Sequence, residues 1–421
     1  MAMTLADPTN TAIPSPARAQ QAAAGAVRKR DLRLDFFRGL AMFIILIAHT
    51  PGNFLTSWIP ARWGFSDATE IFVFCSGMAS AIAFGRGFDT MGWRLGTSRV
   101  GYRVWQVYWA HVGLFFATLA LTVALTDSGL GTRNYWGQLN LWPIFVESDK
   151  WTNPDILLSF MTLRYVPNYF DILPMYMVVL MIMPVIMALA KVNKWLIGAF
   201  VFTMWLFAQK GLMQALGLED YYLGLPAEPW TERNWFFNPF GWQLIFFTGF
   251  AFMRGWLPKP PVNATLILIA VLLVLSNIPL SNIGVREFDF EWARDWRVAN
   301  KILIDKSNFG ALRYVHFLAL AYLCWVAAGD KGDRLLAGEG PLGQIWERCL
   351  SVILKVGQQS LAVFVVSMFT ARLMGFAMDV LGRDTGTVLL VNLLGACVLV
   401  ATAYTAAWFK SQPWRPAKGS S

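Results

Sequence analysis

Residues 35–49 read Asp35-Phe36-Phe37-Arg38-Gly39-Leu40-Ala41-Met42-Phe43-Ile44-Ile45-Leu46-Ile47-Ala48-His49. Continued to about residue 56, this run is long enough to cross a bilayer as a helix. The basic residues Arg28, Lys29, Arg30 and Arg33 stand directly before it. By the positive-inside rule they hold the N-terminus in the cytoplasm.

Working outward, apolar runs of the same kind recur at roughly 69–86, 104–126, 169–190, 195–209, 238–254, 262–280, 311–329, 356–375 and 387–409. With the first, over 36–56, they make ten spans. The segment 154–166 reads as an extra helix at the outer surface. An even number of spans returns the C-terminus to the cytoplasm. Of 421 residues, 56% are hydrophobic and 14% charged, and the mean hydropathy is +0.46. A soluble chain carries about a quarter charged residues, so one or two water-coated domains are excluded. The expected fold is all-α: a polytopic membrane helix bundle of about ten transmembrane helices, with both termini cytoplasmic. Residues 1–30 read as a disordered cytoplasmic tail, 31–410 as the transmembrane domain and 411–421 as a short cytoplasmic tail.

The net charge of +9 does not mark a nucleic-acid binder. Lys and Arg gather in the loops assigned to the cytoplasm, as membrane insertion requires; the outer loop 281–310, rich in both signs, is the main exception. Cys75, Cys324, Cys349 and Cys397 lie in or beside apolar segments at no zinc-like spacing, and read as small core residues. No site for a metal is expected. Phosphate-binding and dinucleotide loops and the Gly-x-Ser-x-Gly elbow are absent from the sequence. Ser66 through Glu70 reads as a capping box for the second span, with Ser66 as N-cap.

The three histidines, His49, His111 and His316, all fall within expected spans. Ionisable groups inside a membrane are costly and are functional candidates by default. At 100° per residue, Asp35, Arg38 and His49 share a helix sector of about 60°, with Arg38 and His49 about 16 Å apart along the axis. One face then carries a cation near the cytoplasm and an imidazole in the outer half. This suits a ligand with an anionic head inside and reactive chemistry further across. Arg38 alone also reads as a snorkelling positive-inside residue.

Arg38, ten residues, then His49 resembles the Arg-x10-His signature of the membrane acyltransferase family 3 superfamily. The string Leu34 to Leu40 with His49, then Phe72-Val-Phe-Cys-Ser-Gly77, is similar to its OpgC branch. So are Asp171-Ile-Leu-Pro174-Met-Tyr176, Asn238-Pro-Phe-Gly-Trp-Gln243, Arg313-Tyr-Val-His316-Phe and Gly357-Gln-Gln-Ser360-Leu. These blocks span about residues 31–370. The resemblance implies an enzyme of the bacterial inner membrane. Such an enzyme moves a succinyl group from cytoplasmic succinyl-CoA to osmoregulated periplasmic glucans.

Sugar O-acylation needs a base for the hydroxyl proton and a site that tolerates charge on the thioester oxygen. His49 is expected to be the base, oriented by Asp171 or His316; Asp171 also reads as a helix cap before Pro174. Arg38, Asp35, Ser76, Arg99, Arg103 and His111 are expected on the donor side, since Arg matches CoA phosphate geometry. Positive-inside bias explains the same arginines without a ligand. Ser76-Gly77 equally suits close helix approach. A succinyl carboxylate calls for a cation near the reaction centre, and Arg164 or Arg313 can serve, or act as interfacial anchors. Trp151 and the other outer-loop aromatics suit sugar stacking as well as an interfacial belt. Partners are thus an acyl-CoA donor (acetyl-CoA second to succinyl-CoA), a periplasmic glucan and membrane lipid, with no nucleic acid. Rival readings are an acetyltransferase on another glycan or lipid, and a secondary transporter; the lack of internal repeats disfavours the latter.

Overall fold

The computed structural model describes residues 31–131, 133–146, 149 and 151–415. The tail expected over 1–30, with Arg28, Lys29 and Arg30, lies outside the described residues, as does most of the tail expected over 411–421.

The described chain is helical throughout, and among the described residues strand pairing is confined to one bridge, Pro226 to Asn234. The main helices are α1 (Arg33–His49), α2 (Ala68–Ser80), α3 (Arg86–Asp127), α4 (Ile172–Val192), α5 (Lys194–Phe207), α6 (Pro239–Arg254), α7 (Ala264–Ser276), α8 (Ala311–Ala328), α9 (Pro341–Gln358), α10 (Ser360–Leu381) and α11 (Thr385–Ser411). Five apolar stretches among the described residues are long enough to cross a membrane, and they mark a membrane protein. One of the five runs from α2 through α3, joined by a π turn over Ala81–Gly85. This stretch is broken at Gly92, whose φ of +79° and ψ of 174° leave the helical region. Glycine takes that backbone conformation without a Cβ clash.

Several boundaries differ from the sequence reading for local reasons. The first helix stops at His49 instead of reaching 56, because a residue before proline avoids helical geometry. Thr50, before Pro51, is extended at φ −83° and ψ 111°. The N-cap of α2 is Asp67, not Ser66. Its side chain accepts from the first turn while Glu70 reaches back to the Asp67 N–H at 2.8 Å. The extra helix near 154–166 is Asn153–Met161. The stretch expected as a loop before the ninth span contains α9, and that span begins at Ser360 after a break at Gln359.

Close glycine contacts set the packing. A Cβ on Gly77 of α2 would overlap the Phe246 carbonyl of α6, and one on Gly249 of α6 would overlap the Phe74 carbonyl of α2. Gly39 of α1 and Gly357 of α9 stand in the same reciprocal relation, against Ile353 and Asp35 carbonyls. Small residues allow helix backbones to approach this closely. The core between them is aromatic, with Trp242, Phe246, Phe250 and Phe160 enclosed.

These contacts give the bundle two ends. At one, Arg38 of α1 donates to Ser360 Oγ, and Lys410 of α11 donates to Gln359 Oε1 at 2.6 Å. The start of the first helix and the close of the last therefore share an end. At the other, His49, Asp67, Lys306 and Asp171 gather from the tips of α1, α2, the 305–310 turn and α4.

Candidate active site

Because α1 ends at His49, its imidazole sits at a helix terminus. Nδ1 lies 2.9 Å from the Ile45 carbonyl oxygen. A carbonyl only accepts, so Nδ1 carries the proton and Nε2 keeps a lone pair, the tautomer a general base requires. The terminal carbonyl of His49 has no helical partner of its own, and Arg372 of α10 donates to it from Nη2 at 3.1 Å. Tyr169 completes the group. Its ring stands edge-on to His49 at 5.5 Å, and the Arg372 guanidinium lies over it at 4.1 Å. Its hydroxyl donates to the Met368 carbonyl at 2.5 Å. Tyr169 has a φ of +90°, an unfavourable backbone for a bulky side chain.

Neither residue expected to orient His49 bonds to it. Asp171, buried at the start of α4, accepts from the Phe236 N–H at 3.2 Å. It anchors the turn two residues past Tyr169. His316 Nδ1 accepts from the Ser66 backbone N–H at 3.3 Å. That fixes its proton on Nε2, so the Ser66 hydroxyl, 2.7 Å away, also donates to Nδ1. His316 thus serves the turn that leads into α2.

A buried ionic network lies beside that turn. Arg313 donates from Nε and Nη2 to Glu70 Oε1, at 2.9 and 2.5 Å, and its Nη2 is 3.9 Å from Asp67. Lys306 meets Asp67 Oδ2 at 2.5 Å. Glu70 is wholly enclosed. The positive charge of Arg313 is therefore balanced inside the protein. Arg164 is exposed.

At the opposite end, Arg38 is half-buried with its Nε unbonded among the described residues. Asp35 and Ser76 are buried. Arg103 donates to Gln106 at 3.1 Å, and Arg99 is exposed. His111, expected on the donor side, lies instead toward the His49 end: it is fully enclosed, 5.1 Å from Phe160, which stacks on Phe115 beside Phe170, and neither of its ring nitrogens is bonded among the described residues. Trp151 is half-buried and donates to Pro143 O at 3.1 Å. It packs 5.2 Å from Trp142 and 5.0 Å from Trp230, forming one aromatic cluster between two loops. Among the described residues, no three His, Cys, Asp or Glu side chains gather closely enough to hold a metal ion.

Compared with known families, residues 30–411 match the family described as OpgC protein. The chain belongs to the OpgC family. Neither a curated protein nor a solved structure matches it. OpgC membership implies a transferase of the acyl or succinyl type. In this OpgC chain the residues sequence reasoning missed are Tyr169, seen only as a loop aromatic, and Arg372, Lys306 and Lys410. Arg372 carried one usable signal, a lone charge inside an apolar run. Lys410 carried none, since only the return of α11 brings it to Gln359.

Proposed function

We propose that this chain is an O-acyltransferase of the acyltransferase family 3 superfamily in the bacterial inner membrane. It moves a succinyl group from cytoplasmic succinyl-CoA to hydroxyls of periplasmic glucans. The ten-span topology with cytoplasmic termini puts the Arg38 end inside and the His49 end outside. The observation that carries the reading is His49 itself: a base-competent imidazole, next to a cation, on the same helix as Arg38 but at the opposite end.

In this reading Arg38 and Arg103, with Arg99 and Lys410 nearby, bind the donor phosphates. Asp35 and Ser76 belong to the wall on that side. The acyl end extends along α1 toward His49. His49 Nε2 takes the proton of a glucan hydroxyl as its oxygen attacks the thioester carbonyl. The C–S bond then breaks, and the thiolate of CoA recovers the proton from His49. The aromatic cluster around Trp151 offers apolar ring faces to the glucan.

The test uses purified protein in lipid with succinyl-CoA and a glucan. CoA release matched by succinyl addition to the glucan is the expected result. An acetyltransferase would release CoA only from acetyl-CoA, and a transporter would release none. Glucans from cells with and without the gene, compared by mass spectrometry, report the acceptor.

A further inference from the structure

The proposed donor carries a second charge, the free carboxylate of its succinyl group, and this must be met near His49. Arg313 and Lys306 are matched by Glu70 and Asp67. Arg383 is matched by Asp379 at 2.5 Å, and the same carboxylate lies 3.5 Å from Arg133. Arg372 differs from all of these. Among the described residues no carboxylate lies within 4.0 Å of it, and its buried Nε has no acceptor. One of its N–H groups caps α1 at the His49 carbonyl and its face rests on the Tyr169 ring at 4.1 Å, so a carbonyl and a ring, but no carboxylate among the described residues, meet its charge.

Arg372 also faces a small cleft. Pro51, Tyr135, Gln138, Phe376 and Asp379 line it together with Arg372, and Pro51 is two residues beyond His49. Asp379 already accepts from Arg383 and from the Tyr135 hydroxyl, at 2.5 and 3.2 Å. The one acid of the lining, Asp379, is thus engaged by Arg383, with Arg133 3.5 Å away, and among the described residues no ion pair joins it to Arg372. The cleft is too small for a sugar ring.

We propose that Arg372 receives the terminal carboxylate of the acyl group and so selects a dicarboxylic acyl donor over a neutral one. This rests on the acyl-transfer reading above and names the residue that selects its acyl group. A guanidinium offers paired N–H donors to a carboxylate, a match an ammonium does not reproduce.

The readout is the ratio of kcat/KM for succinyl-CoA to that for butyryl-CoA, in full-length protein. Arg372→Gln should lower this ratio about 10- to 100-fold, the effect of losing a hydrogen bond to a charged group. Arg372→Lys should lower it less. An unchanged ratio in Arg372→Gln, with both donors slowed alike, would mean that Arg372 only caps α1, and the proposal fails while acyl transfer stands. A native protein that transfers neither group defeats the acyl-transfer reading instead. A second measurement needs no variant. Phenylglyoxal modification of Arg372 in the native protein, followed by peptide mass spectrometry, should be slowed by succinate and not by the neutral butyramide. Equal protection by both compounds, or by neither, overturns the proposal.

Discussion

Arg372 Nη2 donates to the backbone carbonyl of His49 at 3.1 Å, across 323 residues of sequence. A cation at the C-terminus of a helix interacts favourably with its dipole and satisfies an orphan carbonyl. The same contact holds the end of α1, and with it the imidazole, against α10. The His49 imidazole and the Arg372 cation are thus held side by side through one hydrogen bond.

His49→Ala removes the lone pair that the Nδ1–Ile45 bond presents on Nε2. Acyl transfer should fall by about 10²- to 10⁴-fold. The inserted protein should retain its helix content by circular dichroism. Near-native turnover in a folded His49→Ala variant would exclude this residue as the base.

Donor binding should depend on the other end of α1. Arg38→Ala, Arg103→Ala and Lys410→Ala each remove one cation, and the double change Arg38→Ala with Lys410→Ala should weaken CoA binding by more than tenfold. Each charge-assisted hydrogen bond contributes about 1.5–3 kcal/mol. Calorimetry in detergent measures this directly. CoA affinity that survives the double change would move the donor site elsewhere.

The Glu70–Arg313 pair predicts a strongly non-additive stability cycle. Arg313→Met leaves the enclosed Glu70 carboxylate without its main partner and should cost about 3–5 kcal/mol. Adding Glu70→Gln should recover a large part of that loss. Thermal unfolding in detergent of both single variants and the double variant gives the coupling. Additive losses would show that the pair is not the element holding α2 to α8.

Two glycine substitutions should part company. Gly77→Ala drives a Cβ into the Phe246 carbonyl, and forcing α2 from α6 should cost about 1–3 kcal/mol. Gly113→Ala, in α3, meets nothing within 4 Å and should be neutral or stabilising by up to about 1 kcal/mol. Equal melting shifts for the two would contradict the close α2–α6 crossing.

The helical membrane class was legible in the chain because apolar run length alone decides it, whatever the runs pack against. His49 and Arg38 were legible for a related reason: they share one helix, and helical periodicity places them on one face without any tertiary information. The expected orienting role of Asp171 or His316 was a different kind of inference. It rested on similar depth, and depth does not say which way a side chain turns. Asp171 turns to the Phe236 N–H and His316 to Ser66. Arg313 looked available as a cation because nothing in the sequence pairs it with Glu70, 243 residues away.

By itself the sequence determined most of the helices, their apolar character and the shared face of Arg38 and His49, while the Pro51 stop that makes His49 terminal was a local signal hidden inside the apolar run 36–56. Each follows from local backbone and hydropathy rules acting over a few turns. Only the tertiary structure decided which charges are compensated and which remain free. Arg313 and Lys306 find carboxylates, whereas Arg372 finds the His49 carbonyl and the ring of Tyr169. Those pairings join residues more than 200 positions apart, and they arise where glycine contacts let α1, α2, α6, α9 and α10 close on one another. Charge compensation depends on distances of a few ångströms between separate helices, and no periodicity along a single chain encodes those distances.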